Sequence, residues 1–162
     1  MKKKWKEYIP FVIVIVLILL LKCFVITTIR VNGVSMYPTL HDNDIMLLDK
    51  ISYRFQDIDR FDIVVVEHGK DKLIKRVIGL PGEVIEYKDN CLLVDGKEVK
   101  DAYNLIEQED FLVVLEDDEY FVMGDNRGDS LDSRSIGPVS KSSILGHAIY
   151  TIFPFSRWGA AK

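Results

Sequence analysis

The chain has 162 residues and a mass of 18.6 kDa, room for one hydrophobic core and an appendage but not for two full domains. Its 48% hydrophobic and 28% charged residues, with ten Gly and five Pro, exclude collagen-like, mucin-like and disordered classes. The formal net charge of −4 is unevenly spread: residues 1–28 hold five Lys against Glu7, leaving 16 basic and 24 acidic side chains, about −8, on the remainder. Such a body repels nucleic-acid backbones, and no basic aromatic run opposes that reading.

From Ile9 to Ile29 the sequence IPFVIVIVLILLLKCFVITTI carries a single charge. At about 1.5 Å per residue it reaches across a hydrocarbon core of roughly 30 Å, which predicts a transmembrane anchor over 9–29. Pro10 is expected in its first turn and Lys22 close enough to the far end to snorkel. A cleavable leader is the rival reading, but no small-residue cleavage box follows the run. The flanking lysines put residues 1–8 in the cytoplasm and residues 30–162 outside. Cys23 and Cys91 fall in different parts of this layout, so no disulfide is expected, and the scattered His41, His68 and His147 offer no metal-ligand spacing.

Beyond the anchor, short Val- and Ile-rich runs (IMLL, DIVVVE, KLIKRVIGL, EVIEY, CLLV, FLVVL, EYFVM) are punctuated by turn residues. They predict strands and a mainly antiparallel β body with little helix. Asp95-Gly96 predicts a tight hairpin and Pro81-Gly82 a turn. The polar stretch 101–110 reads equally as a loop or one short helix. The C-terminal IYTIFPFSRWGAAK is expected to be a closing strand and core plug, with a patch dipping into lipid as the alternative.

Three segments could carry chemistry. Gly33-Val34-Ser35-Met36-Tyr37-Pro38-Thr39-Leu40 offers a serine, but Tyr37 replaces the second glycine of a hydrolase elbow, and taken alone the segment reads as well as a turn. In Lys72–Gly82, strand alternation sets Leu73, Lys75 and Val77 on one face, opposite Ile74, Arg76 and Ile78. A lysine among apolar neighbours becomes a usable base only where burial lowers its pKa from about 10.4. The adjacency of Arg76 decides little. Finally, Met123–Arg134 is dense in donors and acceptors and suits a hydrogen-bonded scaffold around a catalytic group. Its two arginines argue against a calcium loop.

Taken in order, GVSMYPTL, RFDIVVV, KRVIGLPGE and GDNRGDSLDSR resemble the bacterial type I signal peptidases over residues 29 to about 139. The small size and single anchor are similar to the Gram-positive members. The resemblance implies a catalytic domain of antiparallel β-sheet, barrel-like, with one N-terminal transmembrane helix. Residues 83–120 would form a variable β-hairpin region. It implies Ser35 as nucleophile and Lys75 as general base, with no cofactor and no metal. Ser130 matches a hydroxyl that orients the lysine, Asp132 and Arg134 match residues holding the site together, and Asp125 and Arg127 belong to the same scaffold.

An extended substrate would lie between the strand entering Ser35 and the strand carrying Lys75. Val31, Met36, Leu40, Val65, Leu73 and Ile74 would line shallow pockets that select small residues, the A-x-A rule. Gly33 stands where some members carry Ser or Thr, so the oxyanion would rest more on the Ser35 backbone N–H. Expected partners are signal peptides of secreted preproteins, membrane lipid and the secretion translocon, with no nucleic acid, and the expected location is the bacterial cell membrane. Two other readings are an idle membrane-anchored signal-peptide binder and a relative of the self-cleaving SOS repressors, though no helix-turn-helix precedes the body.

Overall fold

A computed structural model of the chain describes residues 2–103 and 108–161, with side chains described over 7–19 and from residue 25 onward. Helix α1 runs over Lys2–Phe24 and contains Pro10. Because the helix starts in the lysine-rich segment, Pro10 sits inside it rather than in the expected first turn. The apolar side chains from Tyr8 to Leu19 are exposed. Among the described residues no helix is long and apolar enough to cross a membrane; positions 7–19 rise only about 20 Å. The expected roles of Lys22, Cys23 and the N-terminal lysines fall outside the described side chains. Cys91 is a free thiol.

The helix stops short of the expected boundary. Strand β1, Ile26–Arg30, follows it immediately, because the β-branched ITTI prefers an extended backbone and finds a full antiparallel partner in β2, Ile45–Asp49. The body therefore begins at 26, not 30. Strands β3 (Ile63–His68), β4 (Asp71–Gly79), β5 (Val84–Lys88), β6 (Cys91–Val94), β7 (Lys97–Glu98), β8 (Phe111–Val114) and β9 (Glu119–Met123) fall on the predicted runs or beside them. A single helical turn, α2 (Ser133–Ile136), precedes β10 (Val139–Ser140), β11 (Ile144–Phe153) and β12 (Gly159–Ala160).

Two antiparallel sheets result. The larger has the order β1-β2-β11-β3-β4-β9-β10, with β12 added to β11. The smaller, β7-β6-β5-β8, occupies the region expected to vary. Turn chemistry sets its registers: Asp89-Asn90 and Asp95-Gly96 take positive φ in two-residue hairpins, and Pro81-Gly82 forms the turn closed by Glu83 N–H to Leu80 O. Residues 101–103 and 108–110 lie outside helices and strands, and 104–107 are outside the described residues.

Three clusters fill the interior. Val31, Met36, Leu40, Met46, Ile63, Val65 and Ile74 pack together under the N-terminal end of the site. Val64, Val66, Val77 and Val122 pack on the other side of the central strands, and Ile78, Ile85, Tyr87 and Phe121 join the two sheets. Strand β4 is thus buried on both faces from Ile74 onward. That arrangement forces any charge on it to find a partner or lose its proton.

The C-terminal segment closes the sheet as expected but does not plug the core. Phe153, Phe155 and Trp158 are exposed, Phe155 at 73%. They pack on one another instead, Phe153 edge-on to Phe155 and Phe155 stacked on Trp158 with centroids 5.9 Å apart, because β11 ends at Phe153 and the chain turns outward there.

Candidate active site

The turn after Val31 delivers Ser35. Gly33 takes φ +90° and its N–H donates to Asp42 Oδ1 (2.8 Å), while Tyr37 N–H closes on Val34 O (3.0 Å). The buried Met36 and Leu40 nail this turn to the core. Strand β4 delivers Lys75 beside it, and the Nζ to Oγ distance is 2.7 Å. As an ammonium the lysine donates in that contact; as a free amine it accepts the Ser35 O–H. A second Nζ–H donates to Ile74 O (3.0 Å).

Lys75 is 2% exposed. Burial pushes its amine down to about 8, against the opposing pull of the Asp132 and then the Asp125 carboxylate. At pH 7 roughly one amine in ten is then neutral, compared with about one in 2,500 at an ordinary lysine pKa. The Ser35 N–H donates to no group among the described residues and is free for a developing oxyanion. Ser35, Lys75, Val31, Met36, Leu73 and Ile74 line a cleft of about 600 Å³ between the end of β1 and the start of β4. Leu40 and Val65, expected in its pockets, lie fully buried beneath its floor and do not reach it.

The polar segment after β9 grips the nucleophile from behind. Asn126 N–H donates to Ser35 O (3.0 Å), and the Asn126 side chain reaches Val34 O (3.3 Å). Gly124 lies so close that a Cβ there would meet Ser35 O at 2.4 Å and Ser130 Oγ at 2.2 Å; only glycine fits. Asp132, fully buried, accepts from Gly124 N–H (2.9 Å) and from Arg134 Nε and Nη2 (2.9 and 2.7 Å), and caps α2. Burial alone would raise its pKa, but the bonds from Arg134 and Gly124 outweigh that and hold the carboxyl below its ordinary value.

Ser130 departs from its expected role. Its Oγ is buried, lies against Gly124, and makes no hydrogen bond of ordinary geometry, to Lys75 or otherwise. It stays near enough to Asp132 to help keep that acid ionised.

Arg76, which the sequence left without a role, is central. Its Nε and Nη2 reach the two Asp125 oxygens at 2.8 Å each, Nη1 reaches Phe61 O, and the Tyr103 ring lies 4.6 Å from its guanidinium carbon. Thr39 donates to Asp125 Oδ2 (2.5 Å) and sits 2.9 Å from the Tyr103 hydroxyl. Burial disfavours the Arg76 charge, but the Asp125 carboxylate reverses that. Arg127 donates through Nε to Gly124 O and through both Nη to Asp101. Arg134 Nη1 reaches Arg127 O and Gln108.

Sequence reading missed Thr39, Arg76, Asp101, Tyr103, Gln108 and Asn126. Asn126 stands within the GDNR motif and Arg76 beside Lys75, so both were within reach. Asp101, Tyr103 and Gln108 come from a polar stretch with no pattern of its own.

Ser35 Oγ, the buried Lys75 amine and the Ser35 backbone N–H are brought together at one end of the cleft, where a nucleophile, a base and an oxyanion donor are needed for acyl transfer. Residues 5–153 match the family described as signal peptidase, peptidase S26. The chain is 37% identical to Signal peptidase I T of Bacillus subtilis, covering 99% of this chain and 93% of that protein. It is 39% identical to Signal peptidase I V of the same organism, covering 90% and 96%. A crystal structure of a signal peptidase I from Enterococcus faecalis superposes with TM-score 0.51 at 31% identity, over 57% of this chain and 97% of that one. The chain belongs to the signal peptidase family, peptidase S26.

Proposed function

We propose that this protein is a type I signal peptidase, a serine endopeptidase that removes N-terminal signal peptides from exported preproteins. The 2.7 Å contact between Ser35 and Lys75 carries the reading. The neutral Lys75 amine takes the Ser35 hydroxyl proton as Oγ attacks the scissile carbonyl, and the Ser35 N–H receives the oxyanion. The ammonium so formed protonates the departing amine of the mature protein. Water, deprotonated by the same amine, then releases the signal peptide from Ser35.

The substrate lies extended along the cleft beside β4, in the manner of an added strand. Val31, Met36 and Ile74 leave room for small side chains only, which gives the A-x-A preference. The apolar run 9–29 anchors the protein in the cell membrane, its N-terminus cytoplasmic and its body outside, beside the translocon. Its last residues, from Ile26, serve β1 instead, which leaves the apolar part of α1, up to Phe24, for the lipid span.

The test uses full-length protein in vesicles with a preprotein bearing an A-x-A site. Wild type is expected to yield one product whose N-terminus follows that site, and Ser35→Ala none. Equal processing by both would refute the dyad.

The bare stack of Phe153, Phe155 and Trp158 suits a lipid surface, where aromatic rings settle at headgroup depth. Brominated lipids are expected to quench Trp158 emission, read in a Trp5→Phe background. Quenching no greater than that by bromide in water would exclude the contact.

A further inference from the structure

A second cavity, of about 650 Å³, continues from the cleft away from the dyad. Five neighbouring strands of the larger sheet line it: Thr27, Thr28 and Ile29 on β1, Leu48 on β2, Gly146 on β11, Glu67 on β3 and Lys72 on β4. Four cations, Lys50, Arg54, Lys72 and Lys141, surround it, against the single carboxylate of Glu67. The adjoining cleft adds Arg30 and Lys70, with Asp71.

These cations differ from the arginines elsewhere on the body. Arg60, Arg76, Arg127, Arg134 and Arg157 each hold a carboxylate within the chain. Lys50, Arg54, Lys72 and Lys141, with Arg30 and Lys70 of the cleft, hold none. Glu67 is the cross-strand partner of Lys72 and offsets one charge. On a body of about −8, the fold has gathered scattered residues into one positive hollow.

We propose that this hollow seats the phosphate of an anionic phospholipid. Its position selects the ligand. Lys50 N–H donates to Val25 O (2.9 Å), immediately past the end of α1, so the hollow opens where the chain leaves its apolar helix. That places it at headgroup level, which rests on the anchor reading above. Phosphodiesters accept several charge-assisted hydrogen bonds at once, and Ile58, Ile144 and Leu145 offer an apolar wall to the glycerol and acyl stem. The consequence is orientation: a lipid held there turns the mouth of the cleft toward the bilayer, where the substrate emerges.

The test is native mass spectrometry of the full chain in neutral detergent, with phosphatidylglycerol or phosphatidylcholine added. Phosphatidylglycerol is expected to be retained about ten- to a hundredfold more tightly. High salt, and Lys50→Gln/Arg54→Gln/Lys141→Gln with unaltered circular dichroism, are both expected to abolish the preference. Equal retention of the two lipids would overturn the proposal. So would full displacement of phosphatidylglycerol by inorganic phosphate, which would mark a free-phosphate site, or by a signal peptide carrying Asp upstream of the cut but not its Asn counterpart, which would mark a substrate subsite. Release of the chain from vesicles by alkaline carbonate would defeat the anchor reading while a surviving lipid preference kept the hollow's assignment.

Discussion

Lys75→Ala and Lys75→Arg are each expected to lower kcat for preprotein cleavage by about 10²–10⁴-fold, because alanine removes the base and arginine stays protonated. In the wild type, cleavage at subsaturating substrate is expected to rise with pH and level off above about 8, where the buried amine loses its proton. A flat profile from pH 6.5 to about 9 in single-turnover assays would show that this amine is not the base.

The same burial has a cost in stability. The folded amine titrates near 8 and the unfolded one near 10.5, so below pH 8 folding must neutralise the group or bury its charge. Between those values the unfolded state binds more protons, and stability rises with pH. Lys75→Met is therefore expected to stabilise the inactive protein at pH 7 by on the order of 3 kcal/mol, with the gain shrinking toward pH 10.5. Denaturant titrations at pH 7 and 10 would check the sign. A destabilised Lys75→Met would mean that the contacts to Ser35 and Ile74 O outweigh desolvation.

Asp125→Ala is the second large effect. It leaves the Arg76 guanidinium buried with no carboxylate, a loss of about 3–5 kcal/mol, and Thr39 without its acceptor. Adding Arg76→Met is expected to restore much of this, since an apolar side chain needs no counter-charge. Unfolding of the two single variants and the double variant would separate the pair from its surroundings; a double variant as unstable as the sum of the singles would mean the two residues act independently.

Much of this molecule was legible from residue order alone. The Val- and Ile-rich runs became strands because a pleated, two-sided interior rewards them, and Asp95-Gly96 formed its hairpin because that pair tolerates positive φ. Ser35 and Lys75 were legible only together: each is unremarkable by itself, and a separation of 40 positions conceals the contact. Hydropathy alone misled at Ile26–Arg30, since an edge strand and the end of an apolar helix look alike until the partner strand is known.

The support network was harder still. Asp101 and Tyr103 act on Arg127 and Arg76 only because the smaller sheet returns its chain across the site, and nothing in a polar stretch announces where it will land. The basic hollow was equally hidden, being assembled from positions 50, 54, 72 and 141 on separate elements.

Asn126 clasps Ser35 through its peptide oxygen, not through anything beyond Cα, so the clasp is indifferent to which amino acid stands there. An alanine at that place would leave the groove, the lysine and the vacant amide in working order while deleting the attacking atom. Such a molecule would make a decoy able to hold an uncut precursor indefinitely, a means of fishing natural clients from a secreting cell.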